Sequence, residues 1–152
     1  MATDSSGISE MKAAPGRGGP LGVAQTAARY VAVVDDDRSV GIALCRLLRA
    51  AGIEAKAFES AVSFLESLGD HLPDCLVLDV QMPGMNGLEL QQRLKDIAVA
   101  LPVIMITGRD EASIHAICMA MGASSYLRKP LNDDDLLEAV ERAIARRSTR
   151  GP

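Results

Sequence analysis

Four places in the chain carry polar side chains whose types could do chemistry together. They are the acidic run Asp35-Asp36-Asp37, a lone Asp79, Thr107, and Lys129 followed by Pro130. Three carboxylates drawn close repel one another unless a cation joins them. An all-oxygen ligand set favours a hard divalent ion, Mg2+ ahead of Ca2+ because few protein ligands are offered. Lys129 would add a compact positive charge and Thr107 a hydroxyl donor. Such a group suits holding a phosphoryl group in flight, with a carboxylate as the attacking atom. Taken singly, each member has a plain explanation. The acids could start a helix, Asp79 could cap a strand end, Thr107 could reflect β-propensity, and Lys129 could be a surface lysine. Their positions in the chain are what those explanations leave over.

The elements that must position them can be read from periodicity. Tyr30–Val34 is a short β-branched apolar run that meets the three acids. A helical stripe follows, Val40, Leu44, Leu47 and Leu48, with Gly52 just past its end. Residues 53–58 read as a second strand, and Ser60 as the N-cap of a short helix carrying Val62, Phe64, Leu65 and Leu68. The stretch "CLVLDVQMPGMNG" (75–87) is a third strand, apolar on both faces as in a parallel sheet, that ends in Asp79 and breaks at once into proline and glycine. Asn86-Gly87 opens a helix with Leu90, Leu94 and Ile97. Pro102–Thr107 is a fourth strand, then Asp110 caps a helix bearing Ile114, Ile117, Cys118 and Met121, closed by Gly122. Ser124–Leu127 is a fifth strand, and Asn132 caps a last helix with Leu136, Leu137, Val140 and Ile144 inward. Five βα units in a row predict an α/β fold, a doubly wound parallel sheet with right-handed crossovers. In such sheets sites form beyond the strand C-termini. Asp35-Asp36, Asp79, Thr107 and Lys129 all fall there, on strands about 4.8 Å apart.

Composition narrows the rest. With 152 residues, 48% of them hydrophobic, the chain suits one domain. A net charge of −4 gives no general support for nucleic-acid binding, and with 3% aromatics and no Trp base-stacking platforms are not expected. No apolar run is long enough for a membrane span and no signal segment is visible, so a cytoplasmic location is expected. Cys45, Cys75 and Cys118 lie in apolar segments and read as buried thiols. His71 and His115 have no ligand-spaced companions and read as surface or boundary residues. Residues 1–28, rich in Gly, Ala, Ser and Pro, read as a flexible tail, 29–147 as the folded domain, and 148–152 as a short C-terminal tail. The arginines near the end (Arg142, Arg146, Arg147, Arg150) read as a solvated or dimerising face rather than a DNA contact.

With these residues in place, the chain resembles the receiver domains of two-component response regulators, in particular those of the nitrogen-fixation transcriptional regulator type. The motifs that carry the likeness are "VVDDD" (33–37), "LVLDVQMPGMNG" (76–87), "ITG" (106–108) and "YLRKP" (126–130), in that order and over about residues 29–147. The resemblance implies the five-stranded (βα)5 flavodoxin-like receiver fold and a phosphoacceptor at Asp79. It implies that Asp36, Asp79 and the backbone carbonyl of Gln81 hold Mg2+, with Asp35 acting mostly through metal-bound water. Lys129 would pair with Asp79 and then with its phosphoryl group. Thr107 would bond the phosphoryl group once it is attached, and Tyr126 would follow by rotating inward. The Lys129–Pro130 bond is cis in such domains. The loop residues Met82, Pro83, Gly84 and Gly87 would turn the backbone toward the metal. Asp37 stands where glutamate is frequent, and Gln81 and Gly108 put the phosphoryl lifetime in question.

The expected activity is therefore phosphoacceptance rather than enzymatic turnover, apart from slow self-dephosphorylation. The donor would be a histidine kinase or histidine phosphotransfer protein, and the output an unknown protein target. A homodimer through the last two helices and last strand is a further expectation; direct nucleic-acid and membrane contacts are not. Because no output domain follows Arg147, the chain reads as a stand-alone receiver. The alternatives are a degenerate receiver serving as a scaffold and a truncated receiver of a DNA-binding factor. A haloacid-dehalogenase-type phosphatase would need a second carboxylate where Gln81 stands.

Overall fold

The apolar runs at 30–34, 75–79 and 103–107 become strands with a neighbour on each side. In the computed structural model, which describes residues 30–69, 71–109 and 111–150 (side chains through Arg147), the order is β1 (Tyr30–Val34), α1 (Arg38–Ala50), β2 (Glu54–Phe58), α2 (Ala61–Ser67), β3 (Cys75–Asp79), α3 (Gly87–Asp96), β4 (Val103–Thr107), α4 (Ala112–Ala120), β5 (Ser125–Arg128) and α5 (Asp133–Arg150). All strand pairs are parallel, in the order β2-β1-β3-β4-β5. The expected doubly wound sheet is the one found. The proposed tail, 1–28, lies outside the described residues, as does Asp110.

Strict alternation divides the core into two layers. Val31, Val33, Cys75, Val77, Ile104 and Ile106 face α1 and α5 on one side of the sheet. Ala32, Val34, Leu76, Leu78, Val103 and Met105 face α2, α3 and α4 on the other. A period of two sends successive side chains to opposite faces, so an edge-free strand must be apolar throughout. The three cysteines are buried and free.

Helix starts follow local chemistry. Asp37 caps α1, its Oδ1 accepting from Ser39 N at 3.0 Å and Val40 N at 3.4 Å. Ser60 caps α2 by accepting from Ser63 N. Asn86 and Glu89 form a reciprocal capping box on α3. Asn132 Oδ1 accepts from Asp135 N at 3.0 Å ahead of α5. α4 differs: Glu111 holds the N-cap position with no side-chain bond to the helix.

Several expectations shift. β5 runs one residue later than expected, so Lys129 lies just past its end. Val62, Ile97 and Ile117, grouped with core stripes by spacing, are 52%, 46% and 44% exposed. Their helices are seven to ten residues long, too short for spacing alone to separate the buried face from its flank. Ile97 lies beyond the last residue of α3. Of the terminal arginines, Arg147 donates to the Pro73 carbonyl at 2.7 Å and Arg142 pairs with Glu138 at 3.8 Å. Among the described residues no helix is long and apolar enough to cross a membrane.

Candidate functional site

The sheet order itself makes the crevice. From β1 the chain crosses to β2 on one side, and from β3 it moves to β4 on the other, so the loops after β1 and β3 part from each other at the strand tips. Register pairs Val34 with Leu78, which puts Asp35 and Asp79 side by side at those tips. Both continue the same phase of the alternation (Val31, Val33, Asp35; Cys75, Val77, Asp79). Asp35, Asp36 and Asp79 each offer a carboxylate oxygen within 4.8 Å of the others. Asp35 and Asp79 are buried, while Asp36 is exposed.

Backbone groups and one cation hold these acids. Asp35 Oδ1 accepts from Asp37 N at 2.8 Å, and Asp79 Oδ1 from Gln81 N at 3.3 Å. Lys129 Nζ lies 2.8 Å from Asp35 Oδ2 and 3.6 Å from Asp79 Oδ2. The shorter contact is off the alignment of a good hydrogen bond. It is an ion pair first. The expected partner of Lys129 was Asp79; the lysine is closer to Asp35, whose side chain is fully shielded from water and has the greater need of compensation. The Lys129–Pro130 bond is cis, as expected.

Charge is unbalanced here. Burial, then repulsion from Asp35, pushes the Asp79 carboxyl up to about 6 even with Lys129 pulling the other way. Burial lowers the Lys129 ammonium, but its contacts with Asp35 and Asp79 outweigh that and leave it raised. Asp37 stands apart. Its bonds from Ser39 and Val40 hold it below the usual carboxylate range. The acidic run thus divides into a buried ion-pair partner, an exposed ligand candidate and a helix cap. Three carboxylates against one lysine, all oxygen donors, make a site that fits a hard divalent cation.

Thr107 is placed differently from the acids. It is fully buried at the tip of β4, on the phase of Val103 and Met105. Its hydroxyl donates to Arg109 O and accepts from Arg109 N, both at 3.0 Å. Its backbone carbonyl accepts from Lys129 N at 2.7 Å, tying the two tips together. Tyr126, paired with Met105 across β4 and β5, packs on that same face. Its ring stacks on His115 of α4, with centroids 4.4 Å apart and planes 2° from parallel. An open cleft of about 770 Å³ beside them is lined by Gly108, His115, Tyr126 and Lys129 among others.

Gly87 closes the loop after Asp79. Its N–H bonds the Val80 carbonyl at 2.9 Å. A Cβ there would come 2.3 Å from the Asp79 carbonyl oxygen and 2.9 Å from Val80 Cα. Sequence reasoning missed two contributors, Arg109, whose backbone engages Thr107, and His115; it also missed the buried Gln91, away from the site, whose Nε2 donates to Met121 O at 3.3 Å. A backbone partner and a lone exposed histidine leave no mark in a sequence. Gln91, next to Leu90, could have been flagged as a polar residue on an apolar stripe.

Comparison with known proteins agrees with this layout. Residues 31–141 match the response regulator receiver domain family. The response regulator protein TmoT of Ectopseudomonas mendocina is 38% identical over 112 residues, 74% of this chain and 51% of that protein. The DNA-binding transcriptional regulator NtrC of Escherichia coli K12 is 40% identical over 113 residues, 74% of this chain and 24% of NtrC. The chain thus spans about half or less of the length of these curated relatives. Among solved structures, a response regulator receiver protein from Burkholderia phymatum is 47% identical, with a TM-score of 0.70 over 77% of this chain and 95% of that one.

Proposed function

This chain belongs to the family of response regulator receiver domains, and from that premise we propose that it takes a phosphoryl group onto Asp79 and thereby switches a partner-binding face. The donor is a histidine kinase or histidine phosphotransfer protein. The receiver unit runs over residues 29–147, works in the cytoplasm, and pairs with a second copy through α4, β5 and α5. It is a signalling domain rather than an enzyme. The observation that supports the reading most is the acidic hollow: Asp79 ends the central strand within 4.8 Å of two further carboxylates and 3.6 Å from Lys129.

One Oδ of Asp79 forms the bond to phosphorus as the bond from phosphorus to the donor's imidazole nitrogen breaks and that nitrogen keeps the electron pair. Asp79 must be ionised to attack. Mg2+, held by Asp36, Asp79 and the Gln81 backbone carbonyl with Asp35 acting through water, would supply positive charge to the phosphoryl oxygens and favour that ionised form. Lys129 steadies the attacking carboxylate and then the phosphoryl group it carries. Thr107 exchanges its bond to Arg109 for one to a phosphoryl oxygen, and Tyr126 moves inward on the face they share.

Incubation with acetyl phosphate and Mg2+, read by intact mass, tests this. The expected result is a gain of one phosphoryl group in the parent and none in Asp79→Asn. A gain that survives in Asp79→Asn moves the acceptor elsewhere, and none in the parent leaves a scaffold. A second reading, the receiver of a longer DNA-binding regulator, draws on the similarity to NtrC, a larger protein of that description.

A further inference from the structure

The His115–Tyr126 stack is tighter and flatter than the other tyrosine–histidine contact, between Tyr30 and His71. The chain has two histidines and two tyrosines, and each tyrosine lies beside a histidine. Tyr30 and His71 meet loosely, 5.4 Å apart and tilted by 32°. His115 and Tyr126 lie 4.4 Å apart and 2° from parallel. Rings in such contact attract beyond their buried area.

The surroundings make that contact matter to motion. α4 (Ala112–Ala120) has no Asp, Glu, Lys or Arg, no side-chain bond at its start, and a single buried residue, Cys118. Cys118 and the half-buried Ile114 join it to the core layer, and the ring pair is a further tie between α4 and β5. Thr107 and Tyr126 project on the same face of the sheet, from neighbouring strands. If the Thr107 side chain turns from Arg109 toward Asp79, it vacates room on that face. His115 is exposed on α4, with its ring stacked on that of Tyr126. A Tyr126 ring that turns to follow Thr107 leaves the plane it shares with the imidazole. The cleft offers space for the move: a Cβ at Gly108 would meet nothing nearer than Lys129 Cδ at 4.0 Å.

We propose that His115 is a positioning residue for the switch, a flat ring that holds Tyr126 in its resting place and so sets how much phosphorylation must supply to move it. This rests on the phosphoryl-switch reading above. To the Thr107–Arg109 bond it adds a second resting contact that opposes activation, this one on α4.

The test uses the full chain, labelled with 13C on its two tyrosine rings, and titrates Mg2+ and beryllofluoride as a phosphoryl mimic. A ligand that selects the switched state binds more tightly when the resting state is weakened, by the same factor. His115→Ala is expected to tighten beryllofluoride binding about three- to tenfold, the equilibrium equivalent of one aromatic pair. It should also move the unliganded Tyr126 signals toward their bound positions. His115→Phe keeps a flat ring and is expected to stay within about twofold of the parent. Unchanged affinity in His115→Ala overturns the assignment, as does a Phe variant that shifts as far as the Ala variant. If beryllofluoride binds the parent without moving Tyr126, the switch reading itself falls and takes this role with it. If the parent moves and His115→Ala changes nothing, only the role of His115 falls.

Discussion

A carboxyl held near pH 6 couples Asp79 to the stability of the whole domain. In the unfolded chain it titrates near its ordinary value of 3.8, so between 3.8 and about 6 the folded chain holds more protons. Stability from this group therefore falls as pH rises through that window and stays at its lower level above it. Asp79→Asn removes the buried charge. Without metal at neutral pH it should be more stable than the parent by about 1–2 kcal/mol, the two converging toward pH 4, as urea titrations at each pH would show. Asp36 is the contrasting case, since it is exposed. Asp36→Asn should change metal-free stability by no more than about 0.5 kcal/mol but abolish the rise in Tm expected of the parent with Mg2+, measured by scanning with and without chelator. At this scale the acids and Lys129 were legible because their types are costly at strand tips unless they meet. The division of labour among Asp35, Asp36 and Asp37 was not legible in the residue types, and the resemblance alone set Asp36 apart from Asp35, since side-chain direction in the turn after β1 depends on backbone bonds that no residue type encodes.

Loops and helix starts turn those residues into a site, and Gly87 is the tightest joint. A methyl group there meets the Asp79 carbonyl oxygen at 2.3 Å, a contact with backbone that cannot swing away. Gly87→Ala should cost about 1–3 kcal/mol in denaturant titration and also slow acceptance of phosphate from acetyl phosphate, because relief requires moving the strand end that carries Asp79. The caps at Ser60, Asn86 and Asn132 were readable since each is a short polar residue just before an apolar period. α4 was readable as a helix but not as to which side it buries. It is apolar nearly all round, so Ile117 carries the same pattern as Cys118 yet lies exposed. Periodicity finds a face only where a polar one opposes it.

The described residues form one sheet clad on both sides, with Leu136 in the layer under α1 and α5 and Leu90 in the layer under α2, α3 and α4. Because the layers share every strand, neither survives loss of the other. Leu136→Ala and Leu90→Ala should each cost about 2–5 kcal/mol and lower one common midpoint, with far-ultraviolet dichroism and tyrosine absorbance coinciding. The βα rhythm made the parallel sheet legible. Periodicity alone does not say which strands are neighbours, and the order β2-β1-β3-β4-β5 is seen only in the structure. That central placing has an effect on timescale. β3 is buried along its full length between β1 and β4, so its amides should be among the last to trade hydrogen for deuterium, and those of α4 among the first. The carboxylate proposed to take the phosphoryl group would then be moored to the slowest-breathing strand, while the proposed switch surface would ride on one of the quickest helices.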